Sequence, residues 1–255
     1  LKEVDRAKDA FLAMVSHELK NPIAGIVLSA ETLSHYYDRI PEERRLQKIA
    51  QIQQQANVLT ELVTAILDTA RYDSQQRPEI YERIDVQQVA DEVIAELLPQ
   101  AETNEQRIEW QGESSSVLIP AEHADIARIW RNLVGNAVKY SGKGSTIQIQ
   151  LYSPDTFASQ PDLGTLSKYI PSEIRMGNYV LGMVSDDGPG IPEQDLSQLF
   201  TRFFRGWASA SKFPGTGLGL SLVKDIVRSY GGDVVAHSVP GSGVIFCFWL
   251  PVVAG

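Results

Sequence analysis

The sequence predicts an α+β protein in two parts: an N-terminal helical hairpin, then a layered domain of mixed strands and helices. Three observations carry this prediction. Apolar residues recur three and four apart through the first 70 residues, a polar break ending in proline follows at YDSQQRP (72–78), and beyond it short β-type runs alternate with helical segments. The 255 residues suit one large domain or two modest ones. Hydrophobic residues at 43% and charged residues at 22% supply a core and exclude a disordered, collagen-like or disulfide-stapled chain. With 23 Lys+Arg against 32 Asp+Glu, the net charge of −9 argues against a dedicated nucleic-acid binder.

In the first helix Leu12, Val15, Leu19, Pro22, Ile26, Leu33 and Tyr36 form an apolar seam, with Ser29 read as a polar interruption. After a break at 38–41, Ile49, Ile52, Ala56, Leu59, Val63, Ile66 and Ala70 continue the pattern on a second helix. One hairpin cannot bury both seams, whereas two make a four-helix bundle, so a homodimer is expected. The break after it divides the chain into 1–76 and 77–255. In the second part strands are expected near 80–84, 107–110, 146–152, 179–185, 233–238 and 244–250, with helices at 86–98, 124–140 and 218–230. Residues 153–177, rich in Ser, Pro, Asp and Gly, read as a surface insertion of no assigned role, with room for a helical turn within 166–174. Cys247, the one cysteine, reads as a core thiol in the run VIFCFWL and fits a reducing compartment. That run is too short to span a bilayer, no secretory leader is visible, and the chain opens at Leu1 on a charged helical segment. A cytoplasmic catalytic fragment of a longer protein is expected, with any membrane association left to upstream parts.

Four segments carry chemistry. In SHELKNP the helical period turns His17 away from the seam, Glu18 is placed to orient its imidazole, Asn21 lies one turn on, and Pro22 should kink the helix. Taken alone, a solvated surface histidine remains open. In NLVGNAVKY, Asn132, Asn136 and Lys139 fall in a row that suits a hydrated Mg²⁺ and a polyphosphate, or simply a polar helix face. In SDDGPGIP, Asp186 at a strand end can accept a purine's exocyclic amine while Gly188 and Gly190 let a ligand approach; an ordinary acidic turn is the alternative. Gly215, Thr216, Gly217, Leu218 and Gly219 open a helix and present N–H groups to phosphate. That glycine segment lacks the GK[ST] ending of a P-loop and the βαβ setting of a dinucleotide fold.

In this order the segments resemble the catalytic core of sensor histidine kinases of two-component systems. FLAMVSHELKNPI resembles the phosphoacceptor box, NLVGNAVKY the asparagine box, DDGPGI the first glycine box, LFTRFFRG the phenylalanine box and GTGLGLSLVK the second glycine box. The resemblance covers nearly the whole chain. It implies a dimerisation and histidine-phosphotransfer hairpin followed by a Bergerat-type α/β sandwich, the ATP-binding fold shared with gyrase, the heat-shock ninety chaperones and MutL. It further implies ATP-dependent phosphorylation of His17 with Glu18 orienting it, then transfer to an aspartate of a response regulator receiver domain, with Glu18 and Asn21 also supporting dephosphorylation of that regulator. By the same resemblance Asn136 and Asn132 hold Mg²⁺, Lys139 meets phosphate, Tyr140 lies by the nucleotide, Asp186 recognises adenine, and Gly188 and Gly190 shape that wall. Residues 215–219 border the phosphates, and Phe200, Phe203, Phe204 and Arg205 belong to a mobile lid from which Arg205 approaches the γ-phosphate. Asn21 stands where many members have threonine, and Asp187 where many have asparagine, which adds a negative charge beside the nucleotide. His35, His123 and His237 match no motif and read as structural or solvated. The competing readings are an ATP-binding switch or chaperone-like ATPase of the same nucleotide fold, and a non-catalytic dimeric scaffold.

Overall fold

The computed structural model describes residues 2–73, 82–159, 169–175, 177–206 and 217–252. The long apolar periodicity at the N-terminus becomes two antiparallel helices, α1 (Lys2–Tyr36) and α2 (Glu42–Asp73), joined through one 3-10 turn at Tyr37–Arg39. Helix α1 runs on through Pro22, which is buried. Val15, Leu19, Ile26 and Leu33 are half-buried in the seam, as are Ile52, Leu59 and Ile66 on α2, where Leu62 is fully buried. Ser29 does not interrupt the seam. It is 4% exposed, and its hydroxyl donates to Gln51 Oε1 across the helix pair at 3.5 Å. A small side chain whose one donor finds a partner costs the interface little. Ile23, Val27, Leu28, Leu46, Ile49, Val63 and Leu67 stay exposed, so a single hairpin leaves a second apolar stripe uncovered.

The break at 72–78 falls largely on residues 74–81, outside the described residues. Beyond it, β1 (Glu82–Asp85) leads into α3 (Val86–Thr103), whose start is capped by Asp85 accepting the Gln87 N–H at 3.0 Å. Helix α3 continues past the stop expected at 98, with Pro99 inside it and Thr103 Oγ1 donating to the Pro99 carbonyl at 2.8 Å. Next come β2 (Arg107–Gln111), β3 (Leu118–Ala121), α4 (His123–Tyr140) and β4 (Thr146–Tyr152). Then follow α5 (Pro154–Ser159), α6 (Ser172–Arg175), β5 (Tyr179–Asp186), α7 (Glu193–Leu196), α8 (Gly219–Ser229), β6 (Asp233–Ser238) and β7 (Val244–Pro251). Strand β3 was not expected. It is four residues long, contains Pro120, and exists by pairing antiparallel with β1 from more than thirty residues earlier.

Five strands make one sheet in the order β2-β4-β5-β7-β6, with β2 parallel to β4 and all other neighbours antiparallel. The strand period of two sends Ile147, Ile149, Val180, Val184, Phe246 and Phe248 to one face, where α3, α4 and α8 cover them. Trp130 of α4 stands edge-on to Phe248 with ring centroids 5.0 Å apart.

The opposite face holds Leu181, Cys247 and Trp249, with Met183, Val235 and Ile245 beside them. The insertion covers this face, with Phe157 of α5 fully buried and Ile170 4% exposed. Glu113 ties the insertion down by accepting the Ser153 N–H at 2.6 Å. The segment that read as having no role therefore supplies a third layer. Its residues 160–168 lie outside the described residues, and 172–175 form the helical turn. Burial pushes the Cys247 thiol far above its ordinary range, so it behaves as a core group. Phe157→Ala is expected to cost about 3–5 kcal/mol, read as a lower urea midpoint, because the side chain is wholly enclosed. Among the described residues no helix is long and apolar enough to cross a membrane.

Candidate active site

His17 lies in α1, and its side chain is outside what the structure describes. Ser16, Lys20 and Asn21 beside it are exposed, and Glu18 is half-buried. Residues 17 and 21 are one helical turn apart, so both stand over the same stretch of α1.

The turn that carries Asp186, Gly188 and Gly190 forms where β5 ends. Asp186 Oδ1 accepts the Gly188 N–H at 2.9 Å, closing an Asx turn. Burial raises the Asp186 carboxyl above its usual range; the neighbouring Asp187 charge adds to this, while the Gly188 and Val244 N–H groups pull the other way. Asp187 is itself employed, since its Oδ1 accepts the Thr146 N–H at 2.8 Å and holds the turn against β4. Gly188 passes so close to the end of α4 that a Cβ there would lie 2.5 Å from Ser141 Cα. Beyond it, Gly190 has φ +73°, and Ile191 N–H donates to Ser238 Oγ at 2.8 Å. The position of Ser141 is in turn set by buried Gln106, whose Nε2 lies 2.8 Å from the Gly142 carbonyl and 3.0 Å from that of Val138. Gln106 escaped the sequence reading. A polar residue just ahead of a strand carries no local sign of partners more than thirty positions away.

The asparagines and the second glycine segment meet where α4 packs on the start of α8. Asn132 is half-buried, and its Nδ2 donates to the Arg128 carbonyl at 2.8 Å, which leaves its oxygen facing Gly219. A Cβ at Gly219 would meet that oxygen and push the Asn132 amide aside, so glycine lets the Asn132 side chain lie directly over the start of α8. Asn136 and Lys139 follow on α4, both half-buried, and the Lys139 ammonium lies 5.4 Å from the Tyr140 ring centroid. Gly217 and Leu218 are in place beside Gly219, whereas Gly215 and Thr216 fall outside the described residues.

The phenylalanine-rich segment is anchored to α8. Phe203 N–H donates to the Gly217 carbonyl at 2.8 Å, Arg202 pairs with Asp225 at 3.0 Å, and Lys224 lies 5.3 Å from the Phe200 ring centroid. These ties were not expected from the sequence, because each joins residues well separated along the chain. Phe204 and Arg205 are half-buried nearby. The other histidines stand apart: His35 Nδ1 lies 3.0 Å from the Glu31 carbonyl, His123 pairs with Glu92 at 2.8 Å, and His237 stacks at 5.8 Å on Tyr169.

This arrangement offers a carboxylate for an amine, hard amide oxygens and an ammonium on one helix, and backbone N–H groups at the start of another. Among the described residues no group of three or more His, Cys, Asp or Glu gathers. Asn132 and Asn136, one turn apart on α4 and both half-buried, carry amide oxygens of the hard kind that Mg²⁺ accepts alongside water and phosphate. Asp187→Asn keeps an oxygen for the Thr146 N–H but removes the charge that raises Asp186. An ionised Asp186 is the better acceptor, so nucleotide affinity should fall as pH drops through its raised pKa. In the variant that fall should move to lower pH, as titration of a non-hydrolysable ATP analogue across pH would read.

The histidine kinase-, DNA gyrase B- and HSP90-like ATPase family model matches residues 121–254, and the His Kinase A phospho-acceptor model matches 7–75. The chain is 29% identical over 266 residues to the adaptive-response sensory kinase SasA of Crocosphaera subtropica, covering 99% of this chain and 61% of that protein. It spans between 36% and 61% of the length of the first curated relatives it matches. Its fold is shared with histidine kinase ThkA solved with the response regulator TrrA (TM-score 0.67, 21% identity, 99% of this chain and 64% of that one). It is shared too with full-length ShkA solved with AMPPNP (TM-score 0.63, 21% identity, 96% and 46%). With a phospho-acceptor hairpin running into this ATPase fold, the chain belongs to the histidine kinase-, DNA gyrase B- and HSP90-like ATPase family and carries the catalytic core of a sensor histidine kinase.

Proposed function

We propose that this chain binds ATP with Mg²⁺ between α4, the 186–190 turn and the start of α8, and transfers the γ-phosphate to His17. From there the phosphoryl group passes to an aspartate of a response regulator receiver domain. The carrying observation is that one helix, α4, meets the Asp186 turn at Ser141 and the glycine start of α8 at Asn132, in a chain that also bears a phospho-acceptor helix. Residues 77–255 act as the catalytic domain and 1–76 as the dimerisation and phosphotransfer domain. The exposed stripe of Ile23, Val27, Leu46, Ile49 and Val63 supports a homodimer closed by a second hairpin. The AMPPNP and regulator complexes of the two structural neighbours support the nucleotide and the partner. A cytoplasmic placement follows from the need for ATP.

Asp186 accepts the adenine amine, and Gly188 and Gly190 let the base lie close. Asn136 and Asn132 hold Mg²⁺, which when bound neutralises charge on the phosphates. Lys139 adds a positive charge beside Tyr140, the N–H groups of residues 215–219 face phosphate oxygens, and Arg205 approaches the γ-phosphate from the lid. One ring nitrogen of neutral His17 attacks phosphorus as the bridging P–O bond breaks and ADP leaves, while the other ring nitrogen donates its N–H to the Glu18 carboxylate, which takes that proton as the ring becomes phosphorylated. The receiver aspartate then takes the phosphoryl group and imidazole is regenerated. Asn21 orients a water for the reverse regulation, dephosphorylation of the receiver.

Incubation with γ-labelled ATP and Mg²⁺ tests this. Label that is acid-labile, alkali-stable and chased onto a receiver domain is the expected result. Acid-stable label would overturn the histidine assignment, and ATP binding without label would favour a nucleotide switch. Asn21→Ala is expected to slow receiver dephosphorylation by roughly tenfold or more with autophosphorylation retained. An unchanged phosphatase rate would remove Asn21 from that role.

A further inference from the structure

A buried carboxylate lies outside every motif used above. Asp125, in the first turn of α4, is 3% exposed, and burial of a carboxylate is costly unless it is paired. Tyr230, at the end of α8, donates its hydroxyl to Asp125 Oδ2 at 2.8 Å and accepts the Glu122 N–H at 3.1 Å. Arg128 Nη1 lies 3.4 Å from Asp125 Oδ1, and the Arg128 carbonyl is the acceptor that holds the Asn132 amide. Helices α4 and α8 thus meet at two ends. One is the Asn132–Gly219 contact at the phosphate side, and the other is this phenol–carboxylate bond about 16 Å away along an 11-residue helix. Between them lie buried apolar residues of both helices, Ile126, Ile129 and Leu133 with Leu222, Val223 and Ile226. Apolar contact is non-directional and does not by itself set rotation or register.

We infer that the Asp125–Tyr230 hydrogen bond is a positioning device for the nucleotide site. It fixes how α8 lies on α4, and so how the backbone of Gly217 and Gly219 faces Asn132 and Asn136. Its consequence for ligand rests on the nucleotide reading above; its mechanical part does not.

The test compares Tyr230→Phe, Asp125→Asn and Val117→Ala in the full chain, the last being a buried substitution beside the start of α3, where the Val117 carbonyl accepts the Val86 N–H, that lowers stability. Two readouts are taken well below unfolding: amide exchange over 218–224 without nucleotide, and the Kd for AMPPNP with Mg²⁺. Tyr230→Phe should speed exchange at the start of α8, far from the altered ring, and weaken AMPPNP by roughly fivefold. Asp125→Asn keeps an acceptor oxygen for the phenol and should remain within about twofold of the unaltered chain in both readouts. Val117→Ala should leave both within about twofold despite a lower melting temperature. Unchanged exchange at 218–224 in Tyr230→Phe, or an equal rise in Val117→Ala, overturns the inference. If the unaltered chain fails to bind AMPPNP, the nucleotide reading falls, and the exchange readout still decides whether the bond positions α8.

Discussion

A His17→Gln chain is expected to incorporate no detectable γ-phosphate, a loss on the order of a thousandfold or more, while its affinity for an ATP analogue stays within about twofold. The carboxamide of glutamine has no nucleophilic lone pair comparable to imidazole, so the N–P bond cannot form. Glutamine is also a better helix former than histidine, so α1 keeps its continuity through this stretch. The proposed nucleotide site draws on residues 132–140, 186–190 and 217–219, none of them on α1. Binding and transfer should therefore separate cleanly in this variant. Acid-labile label persisting in it would move the phosphoacceptor to another histidine, and His35, His123 and His237 would be replaced in turn to find it.

Gly188→Ala is expected to weaken nucleotide binding at least tenfold and to cost about 1–3 kcal/mol of stability. Its added methyl would lie 2.5 Å from Ser141 Cα, 2.9 Å from the Ser141 carbonyl oxygen and 2.8 Å from Asp186 Oδ1. Two of these are backbone atoms, so no rotamer change relieves the clash. Ser141 cannot easily retreat either, because it is buried and its hydroxyl is shared with Gln106 and Ser145. The turn must open, and with it goes the orientation of Asp186 toward the base. Calorimetric titration with AMPPNP and urea unfolding measure both effects. A variant that loses stability yet binds normally would show that the 186–190 turn is not the adenine wall.

Much of the site was legible because its signals are local. The glycine turns, the asparagines one turn apart and the histidine ahead of a proline each sit within a few residues of one another, where spacing maps directly onto one face or one turn. The same holds for α4, β4, β6 and β7, whose periods of 3.6 and two predicted their bounds to within a residue. Illegible were the groups whose partners come from far along the chain. Gln106 reaches the end of α4, Asp187 reaches Thr146, Arg202 reaches Asp225, and Asp125 reaches Tyr230. A polar residue in a local window looks the same whether it meets water or a distant carboxylate.

By itself, then, the sequence determined the helical hairpin, the alternating strands and the order of the motif-bearing segments, because periodicity and turn chemistry are written in consecutive residues. Only the tertiary structure decided that Ser29 belongs to the seam, that Pro120 sits in a strand, and that Phe157, Ile170 and Ile174 of the insertion cover the second face of the sheet. It also decided which apolar residues of the hairpin are enclosed between α1 and α2 and which stay exposed. Burial is a property of what arrives from elsewhere in the chain, and no local pattern records it.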